Sequence, residues 1–294
     1  MYRYTLLALA ASVAAYDHGP SYGGSGPYKS YNFEVETLAN HTFFQPMISG
    51  LGKGNLKLPV IVWVGLRFRA FHNEVASYGA FIIANGVSYI DEDELVQQED
   101  DPNLPPASDQ APEDLTAAID WVYQYAGKGE YKHLDRTRIG VWGQSCGGLE
   151  AYGAGATDDR VHHLGIFNSG LLPGSPVPAN ISLIEKPVFY VIGGEDDVAY
   201  PNAETDYASL PADTPAWKAQ HALGHSGGFD DPNGSIAAVA GKHMMQWLLR
   251  GDASVKEWFT GSGATEDGFY DIVYQNLDAI EVTPIGGKGS GCKA

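Results

Sequence analysis

Gly143-Gln144-Ser145-Cys146-Gly147 sets a serine between two glycines at the end of the apolar run Ile139-Gly-Val-Trp142, with small residues leading into a helical pattern behind it. That is the spacing of a nucleophile elbow. A serine on so tight a strand-to-helix turn has strained backbone angles, so the residues two before and two after it must lack bulk. The turn lifts the hydroxyl above the sheet edge and aims the next backbone N–H, that of Cys146, at the point where a tetrahedral oxyanion would form. With 36 glycines in the chain, the string also arises by chance: Gly224-His225-Ser226-Gly227-Gly228 fits it. Phe-Asp-Asp-Pro-Asn follows that second match, a turn where an elbow requires a helix, so Ser226 is rejected as a nucleophile.

A serine is a weak nucleophile until a base takes its proton and a third group orients that base. The acid is expected after a later strand, and Gly193-Gly-Glu195-Asp196-Asp197 follows Pro187-Val-Phe-Tyr-Val-Ile192. Asp197 is preferred over its neighbours because the small apolar Val198-Ala199 turns the chain back inward. For the base, His225 lies between glycines that let a loop carry an imidazole over the sheet edge. The competitor, His221, falls inside the strand expected from Ala216 to Leu223, where a packed histidine is the ordinary outcome. His162 and His163 alternate faces at the start of another strand, poor geometry for a shared ligand, and no Cys/His spacing suggests zinc. No metal and no cofactor is expected.

The elements that must position these groups alternate in type. Leu58-Pro-Val-Ile-Val-Trp-Val64 and Ala80-Phe-Ile-Ile-Ala84 are continuous apolar runs, as in strands buried on both faces of a parallel sheet. Between them Phe68, Phe71, Val75 and Tyr78 recur at helical spacing. Further helices are expected at Glu113 to Ala126, Gly147 to Gly155 and Ile236 to Leu249, and further strands at Val161 to Phe167 and Pro187 to Ile192, with opening strands between Asn32 and Pro46. The alternation predicts an α/β protein with one open, mostly parallel sheet and helices on both faces, whose ligands bind beyond the strands' carboxyl ends. Ser88 to Pro112, acidic and proline-containing, reads as a solvated loop.

Composition bounds the rest. At 294 residues with 44% apolar side chains the chain holds a substantial core. A formal charge of −18 repels nucleic acid and anionic membranes. No stretch has the apolar length of a membrane span. Residues 1–15 have a basic start, a short apolar run and small residues at Val13 and Ala15, the pattern of a secretory signal peptide, so the protein is expected to be extracellular. Residues 16–32 are too rich in glycine and turn formers to pack and are expected as a mobile lead-in, followed by the body at 33–260 and a C-terminal extension at 261–294. Two cysteines, Cys146 and Cys292, form no disulfide framework, and sequons at Asn40, Asn180 and Asn233 suit a secreted glycoprotein.

Leu58-Pro-Val-Ile-Val-Trp63, Glu74-Val-Ala-Ser-Tyr-Gly-Ala80, Ala118-Ile-Asp-Trp121, Gly143-Gln-Ser-Cys-Gly-Gly148, Phe167-Asn-Ser-Gly170 and Ile192-Gly-Gly194 together resemble the α/β-hydrolases, specifically secreted fungal serine esterases related to polyester- and cutin-degrading lipases. The resemblance spans roughly residues 30 to 250. It implies the α/β-hydrolase fold, a Ser145–His225–Asp197 triad, the Cys146 amide as an oxyanion donor and a small-molecule or polymeric ester as substrate. A serine peptidase of the same fold and a catalytically silent binding protein are the alternatives. The chain departs from the family after Trp63, where a glycine- and asparagine-rich segment supplies the second oxyanion N–H; here Val64-Gly-Leu-Arg-Phe68 follows at once. Three readings stand: a splicing product lacking those residues, a Val64 or Gly65 amide offered from a shortened turn, or a triad kept in a protein that barely turns over.

Overall fold

The computed structural model describes residues 22–49, 56–64, 68–86, 112–174 and 180–286. Residues 1–15, most of the acidic stretch 88–112, Gly65 and Cys292 lie outside them.

The protein is α/β, built on one ten-stranded, mostly parallel sheet. Its strands are β1 (Tyr22–Gly23), β2 (Ser30–Glu34), β3 (His41–Pro46), β4 (Leu58–Val64), β5 (Phe81–Asn85), β6 (Leu134–Gln144), β7 (Val161–Phe167), β8 (Val188–Ile192), β9 (Ala216–Gln220) and β10 (Tyr270–Gln275). They lie in the order β1-β2-β3-β5-β4-β6-β7-β8-β9-β10. The six from β5 across to β9 pair in parallel, while β1 to β3 at one edge and β10 at the other pair antiparallel. Every residue of β4, β5, β8 and β9 is buried; β4 and β8 read as unbroken apolar runs for that reason, while β9 also buries Lys218 and Gln220. The chain runs from β4 to β5 on one side and returns to β6 on the other. Carboxyl ends of strands therefore diverge beside β4 and β6, the place where open sheets of this kind leave a crevice.

Among the described residues seven α-helices connect and cover the sheet: α1 (Arg69–Ser77), α2 (Pro112–Tyr125), α3 (Cys146–Gly155), α4 (Tyr200–Ser209), α5 (Ser235–Met244), α6 (Lys256–Thr260) and α7 (Gly263–Glu266). On one face Leu115, Ile119 and Val122 of α2, Ala151 and Tyr152 of α3 and Ala203 of α4 pack on Val60, Val62, Val141 and Ile166. On the other, α1 and α5 to α7 cover a layer of rings that includes Trp63, Phe71, Trp142, Phe167, Phe189, Trp217, Trp247 and Phe259. Each such side chain contributes about 1.5–3 kcal/mol when fully buried, so both layers are needed to hold the sheet flat between them.

The structure corrects four expectations. From Tyr22 onward the lead-in is packed against the molecule. A Cβ on Gly24 would sit 2.3 Å from the Ser77 side chain, so glycine is what lets the backbone lie directly on α1. The Ser25 amide and hydroxyl both donate to the Glu74 carboxylate, at 2.6 and 2.7 Å, and Gly26 N–H donates to Ser77 Oγ at 2.9 Å. Burial of Asn73, Glu74 and Ser77 on a helix that already buries Phe71 and Val75 follows from that cover. Second, β9 stops at Gln220, which leaves His221 just past it. Third, a strand that the sequence did not indicate, Tyr270–Gln275, pairs beside β9, antiparallel and mostly exposed. Fourth, the helix expected to reach Leu249 changes at Met245 into a π-helical turn, Met245–Leu249.

Candidate active site

Ser145 has φ 54° and ψ −122°, outside the usual regions for a residue with a side chain, at the junction of β6 and α3. Such a conformation costs of order 1–3 kcal/mol and persists only where the surroundings enforce it. The glycines enforce it here. A Cβ on Gly143 would lie 2.2 Å from the Gly147 carbonyl oxygen, one on Gly147 would lie 2.8 Å from Val64, and one on Gly148 would lie 2.4 Å from Ser169. Ser145 N–H donates to Phe167 O at 3.1 Å, and its carbonyl accepts from Gly148 N–H at 3.0 Å and from Ser169 Oγ at 2.6 Å. The strained residue is fixed on both sides of its own α-carbon.

Ser145 Oγ lies 2.9 Å from His225 Nε2, and His225 Nδ1 lies 2.6 Å from Asp197 Oδ1. His225 sits in a single turn of 3-10 helix, Gly224–Ser226, ended by Gly227 at φ 62°. Gln144, the residue before Ser145, donates from Nε2 to the His225 carbonyl at 2.9 Å and so ties the imidazole loop to the elbow. Asp197 follows β8 and is 1% exposed. Its Oδ1 also accepts from Ala199 N–H at 2.8 Å, and its Oδ2 accepts from Gly193 N–H at 3.0 Å and Asn168 Nδ2 at 2.8 Å. Burial alone would raise this carboxyl; the hydrogen bonds from Ala199, His225, Gly193 and Asn168 outweigh it and hold the group below its ordinary range. The acid stays ionised and faces the imidazole.

Asn168, which carried no role in the sequence reading, joins the two loops. Its Nδ2 donates to Asp197 and also to Gly224 O at 2.8 Å, and it stands at φ 44° at the end of β7, fully buried. The two loops meet so closely that a Cβ on Gly193 would lie 2.1 Å from Gly224 O. Asn tolerates the left-handed region better than most residues, which is the one local signal that singled it out.

The other sequence candidates fall elsewhere. Glu195 and Asp196 are exposed in the turn before Asp197. His221 is fully buried, its Nδ1 accepts from Leu223 N–H at 3.2 Å, and burial pushes its pKa down to about 4. Ser226 is exposed and donates to Leu223 O. His163 is buried with Nε2 accepting from Trp142 Nε1 at 2.8 Å, while His162 faces outward and accepts from Ile139 N–H at 3.4 Å. Cys146 is an exposed free thiol, and its amide heads α3, where no earlier turn provides an acceptor. Val64 is the last residue of β4, paired with Gly143 and 1% exposed, so it belongs to the ladder rather than to a turn; Gly65 is outside the described residues. Among the described residues no group of histidine, cysteine or carboxylate side chains could hold a metal ion.

Ser145 is half-buried and the His225 side chain is 36% exposed, so the hydroxyl and the ring reach solvent. Leu172, Val198 and Leu223, each on a loop that follows a carboxyl end of the sheet, are exposed at 52%, 74% and 42%. A hydroxyl, an imidazole and an ionised carboxylate in this series can pass one proton from the oxygen to the ring and return it to a leaving group. Neither a scan of protein-family models nor a search of curated proteins finds a match to this chain.

Proposed function

We propose that this chain is a secreted serine hydrolase of the α/β-hydrolase fold that cleaves carboxylic esters through an acyl-enzyme. The observation that carries the reading is the 2.9 Å and 2.6 Å series from Ser145 Oγ through His225 to Asp197, set at a backbone strained for that purpose. Ser145 Oγ attacks the ester carbonyl as His225 Nε2 takes its proton. Asp197 holds Nδ1 protonated and stabilises the imidazolium that forms. The Cys146 N–H donates to the oxyanion. The proton then passes to the departing alcohol, and water, activated by the same ring, releases the acid and restores Ser145.

Exposed Leu172, Val198 and Leu223, on the loops that follow β7, β8 and β9, suit an apolar acyl or polymer chain. Secretion rests on the pattern of residues 1–15, and the asparagines of all three sequons are exposed. The reading is tested by hydrolysis of a short-chain aryl ester by the purified protein and by Ser145→Ala. Turnover is expected from the first alone, and equal rates overturn the assignment.

One observation favours a second reading, a hydrolase-like binding protein. Val64 is committed to the ladder, so Cys146 is the one candidate oxyanion donor among the described residues. Loss of one such donor costs about 3–4 kcal/mol of transition-state stabilisation, which slows catalysis without ending it. An organophosphonate that labels Ser145 in the folded protein decides for the hydrolase; failure to label decides for the binding protein.

A further inference from the structure

Outside the triad, one buried carboxylate takes no part in the proton transfer. Asp206, on α4, is 3% exposed, and burial pushes it up to about 6, so at neutral pH it holds a charge where a charge is costly to keep. Its Oδ2 accepts from Leu171 N–H at 2.7 Å and from the Tyr152 hydroxyl at 3.1 Å, which lies 2.7 Å from the Tyr190 hydroxyl. These partners are neutral. They also come from elements that bear the triad: Tyr152 is on α3, the helix headed by the elbow, and α4 itself starts at Tyr200, whose N–H donates to the Asp197 carbonyl at 2.9 Å. One oxygen atom thus joins the helix behind Ser145, the helix behind Asp197 and the loop that follows β7.

That loop is fastened residue by residue. Asn168 donates to Asp197 and to Gly224 O, Ser169 Oγ donates to the Ser145 carbonyl at 2.6 Å, and a Cβ on Gly170 would lie 2.4 Å from Ala203 N, so the backbone lies directly on α4. Leu171 packs half-buried against the core and gives its N–H to Asp206. Leu172 comes next and is 52% exposed. It is three residues from Ser169, so its α-carbon lies within about 11 Å of that residue's. The Leu172 side chain has little cover of its own, and its place beside the nucleophile is set by what holds the residue before it. An N–H given to a buried carboxylate is a charge-assisted hydrogen bond, stronger than one between neutral groups.

We propose that Asp206 is a positioning residue of the ester site: by holding Leu171 N–H it fixes Leu172 where the apolar chain of the substrate passes the nucleophile, so that long-chain esters are preferred over short ones. The proposal rests on the ester-hydrolase reading and adds to it the residue that shapes its selectivity. Asp206 touches neither substrate nor the reacting atoms. It acts through one backbone amide, so a side chain that offers an acceptor at the same point serves equally, whereas one of similar length without an acceptor leaves Leu171 N–H unpaired and the loop free to shift. The loss falls on binding of the apolar chain and appears in KM rather than in kcat.

The test compares 4-nitrophenyl octanoate with 4-nitrophenyl acetate, and octyl acetate with ethyl acetate, so that the chain is offered on either side of the carbonyl. In Asp206→Leu the preference for the long ester, as a ratio of kcat/KM values, should fall about tenfold in at least one pair, through KM of the long ester. Asp206→Asn keeps an acceptor for Leu171 and should hold the ratio within about twofold of the native protein. Where Asp206→Leu does not fold, Asp206→Ser takes its place, since so short a hydroxyl falls short of the amide and leaves room for water. Leu172→Ser, at an exposed position, should lower the ratio by a similar factor. A ratio unchanged in Leu172→Ser or in the acceptor-free Asp206 variant, or an equal fall in Asp206→Asn, overturns the proposal and leaves the hydrolase reading intact. No turnover of any of these esters by the native protein overturns both together, so the two failures are told apart.

Discussion

Two buried regions of this molecule treat the same polar chemistry in opposite ways. At the carboxyl edge of the sheet both oxygens of Asp197 have two partners each, and both ring nitrogens of His225 are engaged. On the face covered by α1, His72 is fully buried among Phe44, Trp63 and Phe71, and neither of its nitrogens has a partner among the described residues. Burial pushes His72 down to about 3, and does the same to His163 beneath Trp142. Hydrogen bonds made to the charged form decide whether a buried group is held ionised, as at Asp197; His72, which has none, and His163, whose one bond is accepted by the neutral ring, are locked neutral in a hydrophobic layer. Mutation and pH should therefore affect function at one region and stability at the other.

The largest effect belongs to the partnered region. Asp197→Asn preserves the shape of the acid and removes its charge, so kcat for an aryl ester should fall about 10⁴-fold, a larger loss than the stability cost of setting its NH2 against donors that the carboxylate satisfied. A variant that keeps most of its turnover would break the comparison at its stronger end.

The next effect belongs to the buried, neutral histidines. Their folded-state pKa values are depressed, so the unfolded chain binds protons that the native state refuses, and stability falls as pH drops below about 6.5. By pH 5, His72, His163 and His221 should each have cost about 2 kcal/mol relative to pH 7. Asp206 acts in the opposite sense. Burial pushes it up to about 6, so its contribution is greatest at low pH and is lost as pH rises through 6. Acidification to pH 5 returns about 1 kcal/mol from it. For these four groups a net loss of about 5 kcal/mol, and about 7 with His243, which burial pushes down to about 4, is expected between pH 7 and pH 5 in urea unfolding, shrinking by about 2 in His72→Phe. A flat profile would show that burial does not set these imidazoles apart.

Smaller effects sharpen the picture at the carboxyl edge. Asn168→Ala removes the donor shared by Asp197 Oδ2 and Gly224 O, so kcat should drop by about 2 kcal/mol, roughly 30-fold, with KM nearly unchanged. A change confined to KM would mean that Asn168 contacts substrate instead. Ser169→Ala deletes one hydrogen bond to the Ser145 carbonyl and should cost about 1 kcal/mol in thermal unfolding.

Most of the central sheet was legible because its strands are buried on both faces and read as apolar runs ended by glycine, as at Leu58–Val64 and Val188–Ile192. The elbow was legible because only glycine satisfies its sterics on both sides of Ser145. What escaped was set by partners distant in the chain. Tyr270–Gln275 presents mostly exposed residues and earns its place only by pairing with β9, so it has no buried run to show. Tyr22 to Gly26 looks unable to pack until α1 is beneath it, since its glycines are useful only for that contact. Asn168 lies in Phe167-Asn-Ser-Gly170 without a role of its own there, and that role appears once the ends of β7, β8 and β9 stand side by side.

The glycine contacts around Ser145 have a consequence for how this gene can change over time. Gly143, Gly147 and Gly148 each press against backbone or a short side chain at distances no β-carbon tolerates, so even alanine at any of them would pry α3 from its strand. Substitutions elsewhere in the core can be absorbed by a neighbour that shrinks or turns. Here no neighbour has atoms to surrender, so descendants of this protein can wander widely in its outer loops while these three codons remain an anchorage, released only if the turn itself is abandoned.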